Sequence, residues 1–202
     1  MPNWAYTKYR ISGNKKEVNS LHDILTGLKE KKLPTMSNDF GGMWLGNLVH
    51  NLGGDYNNVY CRGQIINFDI NPDGTLRIET ETAWDEMGEV RKLITDKYPS
   101  LSVYFVTEEP GNCIFKTNDT DGKYFPEKYY LDICDEEGDA SGTDYYKTLD
   151  EIVEHLKNTV PEAKNAEIRT EMKDIRHFLS SVEEKRPESF SFSFQKITYE
   201  ED

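Results

Sequence analysis

Along the first half of the chain the apolar residues change period in a fixed order, and that order leaves few folds open. Thr7, Tyr9 and Ile11 alternate with Tyr6, Lys8 and Arg10, the period of two of a strand covered on one face. Val18, Leu21, Leu25 and Leu28, with Ile24 alongside, then recur at spacings of three and four, the stripe of a helix that ends before Pro34. A second strand is predicted from Val59 to Ile70, where the apolar phase slips at Ile65 and Ile66 as it does at a bulge. Asn71, Pro72, Asp73 and Gly74 make a turn, and Leu76, Ile78, Thr80 and Thr82 alternate with Arg77, Glu79 and Glu81 to complete a hairpin. Asp85 is placed to cap a second helix carrying Val90, Leu93 and Ile94, which Pro99 closes before a strand from Leu101 to Glu108.

The order β-α-β-β-α-β is the split βαβ or ferredoxin-like arrangement, a two-layer α+β core. Turns at Pro110 and Gly111 and at Asp119 to Gly122 lead to strands over 112–117 and 124–134, read as a β-meander that extends the core. Residues 34–58 form a Gly-rich insertion around the apolar segment Met43 to Val49, with room for one or two helical turns. The acidic, glycine-containing run 135–143 reads as a linker between a core at 1–134 and a C-terminal segment at 143–202, which either packs on the core as a separate domain or forms one compact domain with it. In that segment Thr148 and Glu151 fit a capping box ahead of Leu149, Ile152, Val153, Leu156 and Val160. A further helix is expected from near Pro161, with Ile168, Met172, Ile175 and Leu179 on one side. Phe190, Phe192 and Phe194 alternate with serines in a final strand whose rings need cover, so it completes a sheet or a homodimer.

Composition narrows the function classes. Hydrophobic residues make up 36% of the 202, enough for a core without staples. A formal net charge of -13 argues against nonspecific nucleic-acid binding, which draws its affinity from phosphate neutralisation. Cys61, Cys113 and Cys134 are widely spaced and read as small apolar residues in strands. Pro2, Asn3 and Trp4 run directly into a strand with no export-type apolar region, and no apolar run approaches the ~20 residues of a membrane span. The expected location is the cytoplasm, with no membrane partner.

Thr82, Ala83 and Trp84, then Val90 to Tyr98 with Pro99, Leu101, Tyr104, Glu108 and Glu109, resemble the YubB-like (Api-type) family of bacterial, plasmid and phage proteins. Asn3, Trp4, Ile11, Ser12 and Gly13 are similar to that family's opening strand, and Trp44 to Asn47 with Gly53 stand where it carries a tryptophan- and asparagine-containing loop. The resemblance spans most of residues 2–134. It departs after Trp84, where Asp85, Glu86 and Met87 replace the family's Ser-Pro-Pro. It implies a ferredoxin-like fold and a setting on mobile genetic elements, and it supplies no activity to inherit.

Catalytic chemistry finds little support in the residues. Asp69, Asn71, Asp73 and Gly74 match half a calcium loop, but Thr80 stands where the bidentate Glu is required, so a hairpin turn is the expectation and no metal is expected. Glu108 and Glu109 are adjacent on a strand and point to opposite faces, which keeps them from acting jointly on one substrate. His22, His50, His155 and His177 fall on separate elements, and neither a nucleophile elbow nor a phosphate loop occurs. No catalytic residue and no cofactor is therefore assigned.

The best candidate binding residues are Trp44, Asn47, Arg62, Trp84 and Glu109, because Trp and Arg concentrate binding energy when partly buried. The leading expectation is a noncatalytic cytoplasmic binding or adaptor protein that contacts a protein or small ligand through the long insertion, since long loops in small domains carry function. The alternative is an acidic DNA mimic that inhibits a nucleic-acid enzyme. A carboxylate or metal-dependent enzyme using Glu108 or Asp119 comes third.

Overall fold

The computed structural model describes residues 2–33, 36, 40–134 and 140–200, the last range without side-chain detail at 140–143. The fold is mixed α+β, with two sheets and two compact units, Met1–Thr120 with Tyr199–Asp202, and Asp121–Thr198. Among the described residues no helix is long and apolar enough to cross a membrane.

The first unit opens with β1 (Trp4–Ser12) and α1 (Lys15–Lys29), followed by α2 (Leu45–Leu52) inside the insertion. Then come β2 (Gly63–Ile70), β3 (Leu76–Ala83), α3 (Gly88–Lys97), β4 (Ser102–Glu109) and β5 (Ile114–Thr117). The second unit holds β6 (Tyr129–Cys134), β7 (Ala140–Tyr146), α4 (Leu149–Thr159), α5 (Met172–Glu183) and β8 (Ser191–Lys196), and the chain finishes in β9 (Thr198–Tyr199). The larger sheet runs β2-β3-β1-β4-β5-β9 and the smaller runs β7-β6-β8.

Alternation in β1 does what its period demands: Ala5, Thr7, Tyr9 and Ile11 are buried, and Trp4, Tyr6 and Lys8 are exposed. Antiparallel register sets Tyr9 between Ile78 and Phe105, and Ile11 between Leu76 and Val103. The apolar floor so formed packs with Val18, Leu21, Leu25 and Leu28 of α1, with Leu45 and Leu48 of α2, and with Val90 and Ile94 of α3 in one core. The expected bulge is present, since the β2–β3 register shifts between Ile65 and Asn67. The second unit has its own core, in which Ile152, Leu156, Ile175, Leu179 and Phe194 are buried. Both halves of the Thr148–Glu151 capping box are made.

Several expectations are corrected. The second strand starts at Gly63 and not at Val59, because Asp55 accepts hydrogen bonds from the Asn57 and Asn58 side chains and curls the preceding segment into a turn. Asp85 does not cap α3: its carboxylate accepts from the Glu86 N–H at 2.7 Å and pairs with Lys116 at 2.8 Å, and the helix begins three residues later behind Met87. No β-meander extends the core past β5, because β6 pairs with β7 on one edge and β8 on the other, while β9 takes the place beside β5 in the larger sheet. Cys134 lies within the smaller sheet, and the two compact units part at Thr120. Of the expected linker, 135–139 lie outside the described residues and Ala140 onward is strand. Near Pro161 there is only a single 3-10 turn, Pro161–Ala163, and α5 starts at Met172. Cys113 is exposed, at a left-handed position with φ 56° after the 3-10 turn Pro110–Asn112, and Cys61 is buried ahead of β2. Of the two expectations for the Phe190, Phe192 and Phe194 segment, it is a sheet that it completes: it pairs with β6 of its own chain, and its rings belong to the second core.

Candidate functional site

The insertion is attached to the sheet at β2, an edge strand. Trp44 forms an isolated antiparallel bridge with Gln64, and the Ile65 N–H donates to the Met43 carbonyl at 2.9 Å. Within the insertion Asn47 is the staple. Its side chain is fully buried, its Oδ1 accepts from the Met36 N–H at 2.8 Å, and its Nδ2 donates to the Gly41 and Gly42 carbonyls at 3.0 Å each. A buried amide with these bonds made is held in place and holds its neighbours in place.

Trp44 precedes α2 and folds its ring back over that helix. The ring lies so close to Gly46 that a Cβ there would sit 2.2 Å from Cη2, so glycine is what allows the indole to lie flat. Phe40 flanks the indole with ring centroids 5.4 Å apart, and Tyr56 meets it edge-on at 5.5 Å. These rings form one wall of a groove of about 900 Å³, completed by Trp4 at the start of β1, Tyr60, Arg62 and Gln64 beside the edge strand, Glu81 of β3 and Glu89 of α3.

Two carboxylates give the groove its sign. Glu81 accepts from the Tyr6 hydroxyl at 3.1 Å and from Gln64 Nε2 at 2.9 Å, and Glu89 accepts from the Tyr60 N–H. The hydrogen bond to Glu81, then its charge, raises the Tyr6 hydroxyl above the ordinary tyrosine value. Burial first, and the Glu89 charge second, push the Cys61 thiol up. The Tyr6 shift follows from its pairing with Glu81, and the Cys61 shift chiefly from loss of solvent. Arg62 lines the groove with an exposed side chain, and its carbonyl accepts from the Ala83 N–H at 3.0 Å.

Of the five residues selected from sequence, the structure brings Trp44 and Arg62 together at the groove and places Asn47 behind it as support. It puts Trp84 and Glu109 elsewhere. Trp84 is 45% exposed at a strand-to-helix corner with φ 74°, and its N–H donates to the Asn3 carbonyl at 2.9 Å. Glu109 is 1% exposed and caps the 3-10 turn Pro110–Asn112, accepting from the Gly111 and Asn112 N–H groups at 2.6 and 2.9 Å. Asn3 also lies against Gly111, so Trp84 and Glu109 share a neighbour in a separate structural corner. Phe40, Tyr56, Tyr60, Glu81 and Glu89 were missed. The available signal was the spacing Trp44-x-Gly46, together with tyrosines inside a glycine-rich stretch.

A second polar cluster joins the C-terminal end to the sheet. The Tyr9 hydroxyl donates to Glu86 at 3.1 Å, Arg91 donates to Glu86 at 3.2 Å and to Glu200 at 3.3 Å, and Lys116 pairs with Asp85 and Glu200 at 2.8 and 2.5 Å. Arg91 also stands over the Phe105 ring, 4.9 Å from its centroid. Burial raises the Glu86 carboxyl above its ordinary range despite the opposing pull of Arg91. Every charge in this cluster has a partner, which marks it as a structural tie. Among the described residues no group of three or more His, Cys, Asp and Glu is arranged to hold a metal ion. The chain was compared with known protein families, with curated proteins and with solved structures, and it matches none of them.

Proposed function

We propose that this chain is a noncatalytic cytoplasmic binding or adaptor protein whose contact surface is the aromatic groove at the root of the insertion. The observation that carries the reading is the Phe40–Trp44–Tyr56 wall, built over Gly46 and opening into about 900 Å³ lined by further rings. Grooves of this size with an apolar lining and a few fixed polar groups are where proteins bind ligands, and partly buried Trp and Tyr carry most of the energy at such surfaces. Three unpaired thiols support the cytoplasmic part of the reading. The fold part is a ferredoxin-like module interrupted by α2. It is supported by the order β2-β3-β1-β4, in which α1 precedes β2 and α3 links β3 to β4. The YubB-like resemblance of residues 2–134 supports the same module and suggests a mobile-element setting.

The test is co-purification from the native host. Tyr60→Ala removes a ring that is half exposed, and Trp44→Ala removes the centre of the wall. Each variant is expected to lose the partner recovered with wild type while keeping the wild-type circular dichroism spectrum. Recovery of the same partner set by both variants would overturn the groove as the contact surface.

A further inference from the structure

We infer that the groove seats a positively charged side chain, Lys or Arg, presented by a basic segment of a partner protein. The inference rests on the binding-protein reading above and names what that surface recognises. Aromatic faces carry negative quadrupole potential and attract ammonium and guanidinium groups placed over them. Here Trp44 is flanked by Phe40 and Tyr56, and Glu81 and Glu89 line the same groove. Among the described lining residues, Arg62 is the one Lys or Arg set against these two carboxylates, and its side chain is exposed. A long apolar stem ending in a charge matches such a lining: the stem covers the rings and the head lies near the carboxylates. A protein segment is favoured over a free small cation because the groove, at about 900 Å³, and the exposed Trp4 and Tyr60 beside it offer far more apolar surface than one small cation covers. The net charge of -13 steers a basic segment toward the molecule.

The experiment uses the full chain and three fluorescein-labelled peptides of equal length, in which Ser and Gly alternate with Lys and Arg, with norleucine, or with Glu. The basic peptide is expected to bind tightest and to weaken as salt rises past physiological strength. Trp44→Ala and Glu89→Gln should each weaken it about tenfold, a size within the cation–π and charge-pair range. Trp44→Phe, which keeps a ring, should retain most of the affinity. Glu171→Gln and Glu184→Gln in the second unit control for bulk charge and should change little. Equal losses from the controls and from Glu89→Gln would reduce the effect to overall charge and overturn the inference. Binding of benzyltrimethylammonium as tight as that of the peptide would overturn the protein source. Tightest binding by the norleucine or Glu peptide, still dependent on Trp44, would remove the cation preference and leave the groove standing as a contact surface. If no peptide's binding depends on Trp44, both readings fall.

Discussion

Gly46 is where one residue controls the groove. Alanine improves intrinsic helix propensity by about 1 kcal/mol over glycine, which predicts stabilisation in an ordinary exposed helix. Here the added carbon would lie 2.2 Å from the Trp44 ring, so the indole must leave. Losing the burial of a large ring costs about 1.5–3 kcal/mol, and the ring loss wins. Gly46→Ala is therefore expected to lower stability by about 1 kcal/mol net, to shift tryptophan emission to the red and to weaken partner binding as strongly as Trp44→Ala. Denaturant unfolding and fluorescence check this, and an unshifted spectrum with higher stability would count against the stacked geometry. Single-residue roles were only partly legible in sequence. Residue type singles out Trp44 and Arg62, and they do meet at the groove. Glu109 has an equally suggestive residue type but caps a turn, because whether a carboxylate faces a ligand or its own backbone depends on a local path that residue type does not encode.

Among elements, the strand-to-helix corner after β3 departs furthest from expectation. Asp85 has the residue type of a helix cap, yet it is drawn to Lys116, and the chain takes a left-handed turn at Trp84 before α3 begins. Glu86 is carried inside by this corner, against Tyr9 and Arg91. Its carboxyl value is raised above the ordinary ~4.3 chiefly by burial, so the folded state holds the proton more tightly than the unfolded chain does. The stability this contributes is full below the ordinary value and is lost as pH rises through the raised one. Glu86→Gln does not titrate. The margin by which wild type exceeds it in thermal midpoint should therefore shrink as pH climbs from about 4 toward neutrality. A margin that widens over that range would show that Arg91 outweighs burial. Elements with strong local signals were legible before the structure: β1, α1, the β2 bulge and the α4 capping box all occur where periodicity and cap residues put them. The start of α5 was not, because the apolar spacing at Ile168 continues through residues that are not helical.

For the molecule as a whole, the arrangement of charge is what distinguishes the proposed binding protein from a DNA mimic. A mimic must present carboxylates in a continuous stripe, since a duplex carries one charge per ~1.7 Å of axis. Here acids are divided between two units and several are matched: Glu86 and Glu200 by Arg91, Asp85 by Lys116, Asp96 by Lys92, Glu162 by Arg186 and Glu171 by Lys173. A groove that seats one cation does not make a duplex-like ridge. The protein is expected to leave restriction-endonuclease cleavage unchanged at equimolar and at tenfold excess, and inhibition at equimolar ratio would favour the mimic. The chain by itself determined most of the strands and helices and that they form an α+β fold, because period, turn residues and caps act over a few neighbouring residues; β7, in a run that reads as linker, and the starts of β2 and α5 are not determined locally. Tertiary structure alone decided that β6 joins β7 and β8, that β9 comes back beside β5, and that Trp44 meets Tyr56 above Gly46. Strand edges and groove walls are completed by residues distant in sequence, and their pairing is selected by burial and hydrogen bonding across the folded molecule, which no local pattern records.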